Sequence, residues 1–244
     1  MRFVVDMYYF RSALAAVKPH VSKDKDDTAR QSLSLHVRED AQLMVLAGDG
    51  STSGLARVEI DQDDWDGELG YFTITPDIAA TIIAAFTPHK SEWDISLEVS
   101  VTFSVEHQPG EETESTIAHI SIRRLGQLFG GDQYKVSTPV QPVDDIQKIW
   151  DRIAAEVASK RSGLPAMTVN TKWLAAFKAA EKVYGESPVF ALGANGSLLL
   201  LIGSRFIGHM WAEWKELDDS TKDYYDSTKH AWETHFPRRL SAVS

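Results

Sequence analysis

The chain of 244 residues contains no cysteine. Disulfides and thiolate metal sites are therefore excluded, in accord with a reducing compartment. Long apolar runs are missing too. Runs such as Leu198 to Ile202, which no other apolar run exceeds, fall far short of the roughly 20 residues a membrane-spanning helix needs. The opening Met1-Arg2-Phe3-Val4-Val5-Asp6 places an acid where a secretory signal would carry its apolar stretch, so a cytoplasmic protein is expected. Catalytic signatures are absent: no His-Glu-x-x-His, no Gly-x-Ser-x-Gly, no glycine-rich phosphate loop ending in Lys-Ser or Lys-Thr. The acidic run Asp61 to Glu68 is interrupted by Trp65, which breaks the alternation of ligands a calcium loop requires, and reads as a solvated connection. His89, His107, His119 and His209 show no ligand spacing. The expectation is a non-enzymatic chain with no catalytic residue, metal or cofactor.

Basic residues are outnumbered, 25 against 35 acidic ones, for a formal charge of −10. This excludes a protein that coats nucleic acid with its whole surface, but not one that confines its cations to one face. The acids cluster in Asp24–Asp27, Asp61–Glu68, Glu111–Glu114 and Asp218–Asp226, away from the helical segments described next.

Hydrophobic periodicity predicts an α+β chain with antiparallel sheets. Leu33, Leu35 and Val37 share one strand face, with Ser34, His36 and Arg38 on the other. Arg38-Glu39-Asp40 turns into a strand over Leu43–Ala47, and a Gly/Ser-rich turn leads to Leu55–Ile60. From Ile95 to Val105 period two is unbroken, which predicts a half-solvated antiparallel strand; 115–124 is a further strand, with an exposed hairpin loop at 107–116. Helical period appears in 7–18, in 76–87 behind Thr75-Pro76-Asp77, in 143–160, and in 170–184. A connection is expected over Leu125–Gln141, around Gly130-Gly131 and Pro139. The expected division is 1–130, 131–215 and an acidic, aromatic tail 216–244.

The chain also repeats itself. Ala13-Leu14-Ala15-Ala16-Val17-Lys18 matches Trp173-Leu174-Ala175-Ala176-Phe177-Lys178 almost position for position. Behind each helix comes the same succession of strand, turn, strand, turn, strand; in the second copy these are Pro188–Leu192, Leu198–Ile202 and Phe206–Trp214. Asn195-Gly196 is a type I′ hairpin signal between two of them.

The order of one strand, one helix and three strands, twice per domain, resembles the DNA sliding clamps, both the bacterial β clamp and proliferating cell nuclear antigen. Phe3-Val4-Val5-Asp6 followed by Phe10-Arg11-Ser12-Ala13-Leu14 is similar to a clamp's first strand and helix. Leu43 to Gly50 is similar to its strand ending in Ala-x-Asp, and Phe72 to Ile78 to the strand entering its second helix. Leu199–Ile202, Gly203, Phe206 and Gly208 resemble a domain's last strands. The resemblance spans residues 2–124 and, less closely, 134–214. Only about ten residues, Arg161 to Asn170, separate the third and fourth helices, so the second domain is abbreviated.

The resemblance implies a clamp fold with helices lining one face. It also implies a processivity factor that encircles double-stranded DNA without reading sequence and tethers a polymerase, with a clamp loader as partner. A trimeric ring would follow from two full domains per chain, and the small size points to a phage-like source. The implied DNA-facing residues are Arg11 and Lys18 on the first helix, Lys148 and Arg152 on the third, and Lys172, Lys178 and Lys182 on the fourth. The second helix offers none before Lys90. Leu128, Phe129, Met210 and Trp211 are candidates for an apolar pocket that takes a partner's peptide. Two other readings stand beside this one: an acidic α+β protein that binds a protein partner without DNA, and a hydrolase or transferase with an unrecognised site.

Overall fold

The computed structural model describes residues 1–87, 95–107, 114–126, 133–141, 147, 150, 151, 153–155, 166–168, 170–193, 197–211 and 213–215. Among them the sequence strand, helix, three strands occurs three times. The first unit is β1 (Arg2–Asp6), α1 (Met7–Val17), β2 (Leu33–Arg38), β3 (Gln42–Gly48) and β4 (Thr52–Glu59). The second is β5 (Gly70–Ile74), α2 (Pro76–Ala85), β6 (Ser96–His107), β7 (Glu114–Arg124) and β8 (Gln133–Pro139). The third is β9 (Ala166–Thr168), α3 (Thr171–Tyr184), β10 (Val189–Leu192), β11 (Ser197–Ile202) and β12 (Phe206–Trp211), followed by β13 (Glu213–Lys215). β8 corrects the sequence reading: the stretch expected to be a connection contains a strand that pairs with β7, Ile120 opposite Val136.

The first two units exchange their leading strands. β1 pairs antiparallel with β6, and β5 with β2. The result is a four-stranded sheet, β1-β6-β7-β8, and a seven-stranded sheet, β10-β11-β12-β4-β3-β2-β5, into which the third unit runs through antiparallel pairing of β12 with β4.

Each helix starts on a side chain that accepts a hydrogen bond from an otherwise unpaired amide: Asp6 from Tyr9, Thr75 from Ile78, Asn170 from Lys172. These caps put the three helices in common register. The seventh residue after each cap is Ala13, Ile82 or Phe177, and all three are buried. Ala13 therefore corresponds to Phe177 rather than Trp173, so the matching letters noted in the sequence lie one helical turn out of structural register. Gly185 ends α3 with φ 68°, a left-handed cap suited to glycine.

The seven-stranded sheet is covered on both faces. Leu43, Val45, Ala56, Leu198, Leu200, Phe206 and Met210 point to the side of α1, α2 and α3. The alternate residues Met44, Leu46, Leu55, Leu199, Leu201 and Ile207 pack against Trp150 and Ile153. Residues 147, 150, 151 and 153–155 are helical, so this helical stretch lies on the opposite face from the other three. Burial extends to Ser34, His36 and Arg38, the polar face of β2. There Ser34 Oγ lies 2.7 Å from His36 Nε2, and the His36 ring stacks on Tyr71 at 5.4 Å.

The strand expected from Ile95 to Val105 is present, and its apolar face is buried through Val101, whereas Phe103 and Val105 are exposed. The hairpin across 107–116 is seen in the pairing of His107 with Glu114. Among the described residues no helix is long and apolar enough to cross a membrane.

Candidate nucleic-acid interface

α1 lies between α2 and α3, and the three helices cover one face of the sheets. α1 contributes little free charge to that layer. Arg11 Nε donates to Ile83 O at 3.0 Å and Nη2 to Thr87 Oγ1 at 3.3 Å, so the guanidinium ties α1 to the end of α2. Partial burial lowers its pKa. A structural fastener thus occupies a position expected to face phosphate. Arg11→Ala is expected to lower stability by about 1 kcal/mol in urea denaturation, since hydrogen bonds from charged donors carry roughly that weight when partly solvated. An unchanged midpoint with weakened DNA binding would show instead that Arg11 serves phosphate. Lys18, at the end of α1, is half-buried.

α3 is different. Lys172, Lys178 and Lys182 are all exposed, while Phe177 and Ala180 face the core and only Glu181 intrudes among the cations. α2 exposes Asp77, Thr81, Ala84 and Ala85 and carries no basic residue. The basic surface among the described residues of this layer is therefore concentrated on α3. Lys148 and Arg152 lie outside the described residues. Their neighbours Trp150 and Ile153 are buried against the opposite sheet face, which removes the reason to group that stretch with α1 and α3.

The apolar pocket is not assembled among the described residues. Met210 is fully buried in the core on the α1–α3 side. Trp211, its neighbour on the strand, turns the other way and donates from Nε1 to Gly50 O at 3.1 Å. Leu128 and Phe129 lie outside the described residues, as does the tail 216–244. The acidic run Asp61–Glu68 proves to be a clasp on the chain start: Asp61 N–H donates to Val4 O, Asp66 N–H to Arg2 O, and the terminal ammonium meets Glu68.

Sequence reasoning missed the contact that holds α3 and its lysines in place. Where β4 meets β12, Gly54 lies opposite Gly208. The absent side chains leave room for two rings: His20 over Gly54 and Phe177 over Gly208, with ring centroids 4.6 Å apart. His20 Nδ1 is 3.1 Å from Thr52 Oγ1, and complete burial holds the ring's pKa down at about 3, so it is neutral. Around this centre Tyr8 donates to Val183 O at 2.8 Å, and Arg205 lies 3.8 Å from the Tyr9 ring and 3.6 Å from Glu59. A glycine inside an apolar strand signals a close approach, and Gly54 and Gly208 both sit in such strands.

No family model matches the chain, and no curated protein matches it in sequence. Solved structures do match. The chain is similar to the DNA polymerase III beta subunit of Thermotoga maritima (10% identity, TM-score 0.57), covering 89% of this chain and 66% of that one. It is similar to the beta subunit from DNA polymerase of Streptococcus pyogenes (12% identity, TM-score 0.51), covering 90% of this chain and 66% of that one. The sliding clamp of Bartonella birtlesii, also a DNA polymerase III beta subunit, matches with 12% identity and TM-score 0.50 over 92% of this chain and 67% of that one. The chain thus spans about two-thirds of the length of these proteins. The three strand-helix-strand units, their antiparallel sheets and the shared helix layer are, by these likenesses, the fold of the bacterial sliding clamps.

Proposed function

We propose that this protein is a sliding clamp: copies assemble into a ring around double-stranded DNA and tether a polymerase, with a clamp loader to open the ring. It performs no chemistry of its own. The carrying observation is the exposed lysine face of α3, Lys172, Lys178 and Lys182, in the helix layer of a clamp-like fold. Three ammonium groups on solvated stems give attraction to phosphate without base readout, which sliding requires. Acidic surface elsewhere, within a net charge of −10, disfavours binding by any other route. Lys18 adds to this surface, whereas Lys148 and Arg152, whose neighbours Trp150 and Ile153 are buried on the opposite sheet face, are left out of it. A tethered polymerase would dock by a short apolar peptide near Trp211, with Leu128 and Phe129 as proposed companions. The working compartment is the cytoplasm.

The test is primer extension by the partner polymerase on long templates, with charge reversal at Lys178 and Lys182. The double variant is expected to shorten products to those of the polymerase alone while its thermal unfolding is unchanged. Full processivity in that variant, or a protein that stays monomeric at micromolar concentration, would overturn the reading. One observation favours a second reading, a clamp-fold protein that binds a protein partner without DNA: of the three helices in the layer, only α3 presents a row of free cations. Absence of any salt-dependent DNA binding would select it.

A further inference from the structure

The two ends of the seven-stranded sheet are built alike and finished differently. Across from Gly54 of β4 lies Ala47 of β3, and Leu33 of β2 is next in register. Across from Gly208 of β12 lie Leu200 of β11 and Phe190 of β10. Because Gly54 is opposite Gly208, β10 is the third unit's counterpart of β2, and Phe190 stands where Leu33 stands. The outer edge of β2 is taken by β5, which sets Ile74 opposite Leu33 and Phe72 opposite Leu35. β10 ends the sheet, and no described strand lies beyond it. The three leading strands are already placed, β1 on β6, β5 on β2 and β9 on β13.

The backbone of β10 is open along that edge. Gly193 N–H donates to Ser197 O at 3.0 Å, so by antiparallel alternation Ala191 and Val189 bond to β11. The N–H and C=O groups of Phe190 and Leu192 point the other way, and no described residue takes them. An open row of this kind is a template for another strand. Burial beside it is incomplete as well. In the first unit Leu33 and Phe10 are fully buried. Their counterparts are Phe190 and Leu174, the latter at the same distance from its helix cap as Phe10, and both are only partly buried. Phe72 and Ile74, which fill this place in the first unit, are themselves core residues.

The helix position differs. The helix that follows β5 packs on α1, and Arg11 donates to its Ile83 O. Five and eight residues after the caps, α1 carries Arg11 and the fully buried Leu14, whereas α3 carries Ala175 and Lys178, both exposed. An incoming helix would meet a lysine there. An incoming strand would meet apolar side chains and open amides. We propose that β10 takes an extended segment of a partner protein as an added antiparallel strand, with two bulky apolar side chains two residues apart seated as Ile74 and Phe72 are in β5. The backbone groups supply affinity, and the apolar pair selects register and sequence. No lysine of α3 takes part, so the inference goes beyond the clamp reading and is tested apart from it.

The probe is a fluorescein-labelled peptide with the sequence of residues 69–76, Leu-Gly-Tyr-Phe-Thr-Ile-Thr-Pro, titrated with the full chain in fluorescence polarisation. Saturable binding is expected with a Kd on the order of 10–100 μM, because a lone strand must be ordered as it binds. With the Ile74 position opposite Phe190, its N–H faces β10 and that of the Thr73 position faces away. N-methylation at the Ile74 position should therefore weaken binding about 10-fold or more, and at the Thr73 position by less than about threefold. Phe190→Glu should abolish binding, with the urea midpoint reporting its fold; if that variant is unfolded, the two methylated peptides decide with the unaltered chain. Charge reversal at Lys178 and Lys182 should leave peptide binding unchanged, whatever it does to processivity. No binding at about 1 mM, which is also the result if another segment of this chain holds the edge, would overturn the proposal. So would equal effects of the two methyl groups, full binding by folded Phe190→Glu, or binding lost with the lysines.

Discussion

Replacing Gly208 by alanine is expected to destabilise the protein by about 3 kcal/mol, the upper part of the range for forcing a methyl group into a filled core. The Cβ would overlap the ring of Phe177, which is 3% exposed and wedged against His20 and Phe206. With the ring buried between His20 and Phe206, the added methyl is expected to lift α3 from the sheet or shift β12 off β4. Gly54→Ala is the companion case, because its Cβ would lie 2.6 Å from His20 Cδ2. Gly70→Ala is the control: its nearest neighbour would be Met1 Sδ at an ordinary 3.4 Å, and its cost should stay well under 1 kcal/mol. Urea denaturation checks all three. A Gly208→Ala midpoint equal to that of Gly70→Ala would mean that the close approach of α3 to this strand is wrong, and with it the placement of Lys178 and Lys182.

Acid should unfold the protein well above the pH at which carboxylates protonate. His20 is held neutral by burial, its pKa lowered to about 3. His36 is lowered to about 4, by burial first and by the positive charge of Arg38 second. In the unfolded chain both would titrate near pH 6.5. Below that value the unfolded state takes up protons that the folded state refuses, so stability rises with pH through this window and is complete above it. On descent from pH 6.5 to pH 5 each ring should remove about 2 kcal/mol, from 1.36 kcal/mol per unit over 1.5 units. The loss continues towards pH 4 for His36 and pH 3 for His20. The expected measurement is a fall in the urea midpoint between pH 7 and pH 5 that is roughly halved in His20→Gln. A midpoint that stays level across that interval would show that neither ring is held neutral by burial.

Much of the fold is written locally. Leu33, Leu35 and Val37 announce a strand, Thr75-Pro76-Asp77 a helix start, and the repeated helix-and-strands succession the clamp likeness, because period and capping depend on neighbours a few residues apart. The lysine face of α3 was legible for the same reason: Trp173, Leu174 and Phe177 fix the inner side, and the lysines fall outside it.

What the sequence could not decide is which apolar face meets which. The stripe Ile146, Ile149, Trp150 and Ile153 proclaims an amphipathic helix, but amphipathicity is silent on the side of the sheet it will cover. One signal was present. β3 and β11 are apolar on both faces, Leu43 and Val45 against Met44 and Leu46, Leu198 and Leu200 against Leu199 and Leu201, as strands are when both faces are covered. Arg11 reads as a free cation at its helical position and becomes a fastener only because the last turn of α2 leaves carbonyls open beside it. The type of most elements and the lysine face of α3 were thus determined by the sequence, whereas β8, read as part of a connection, was not. The tertiary structure decided the joining of β4 to β12 through paired glycines and, among the described strands, the place of β8 at the end of its sheet. Strand edges offer the same amides and carbonyls whatever their side chains, so only the packing of rings and helices above them selects the partner.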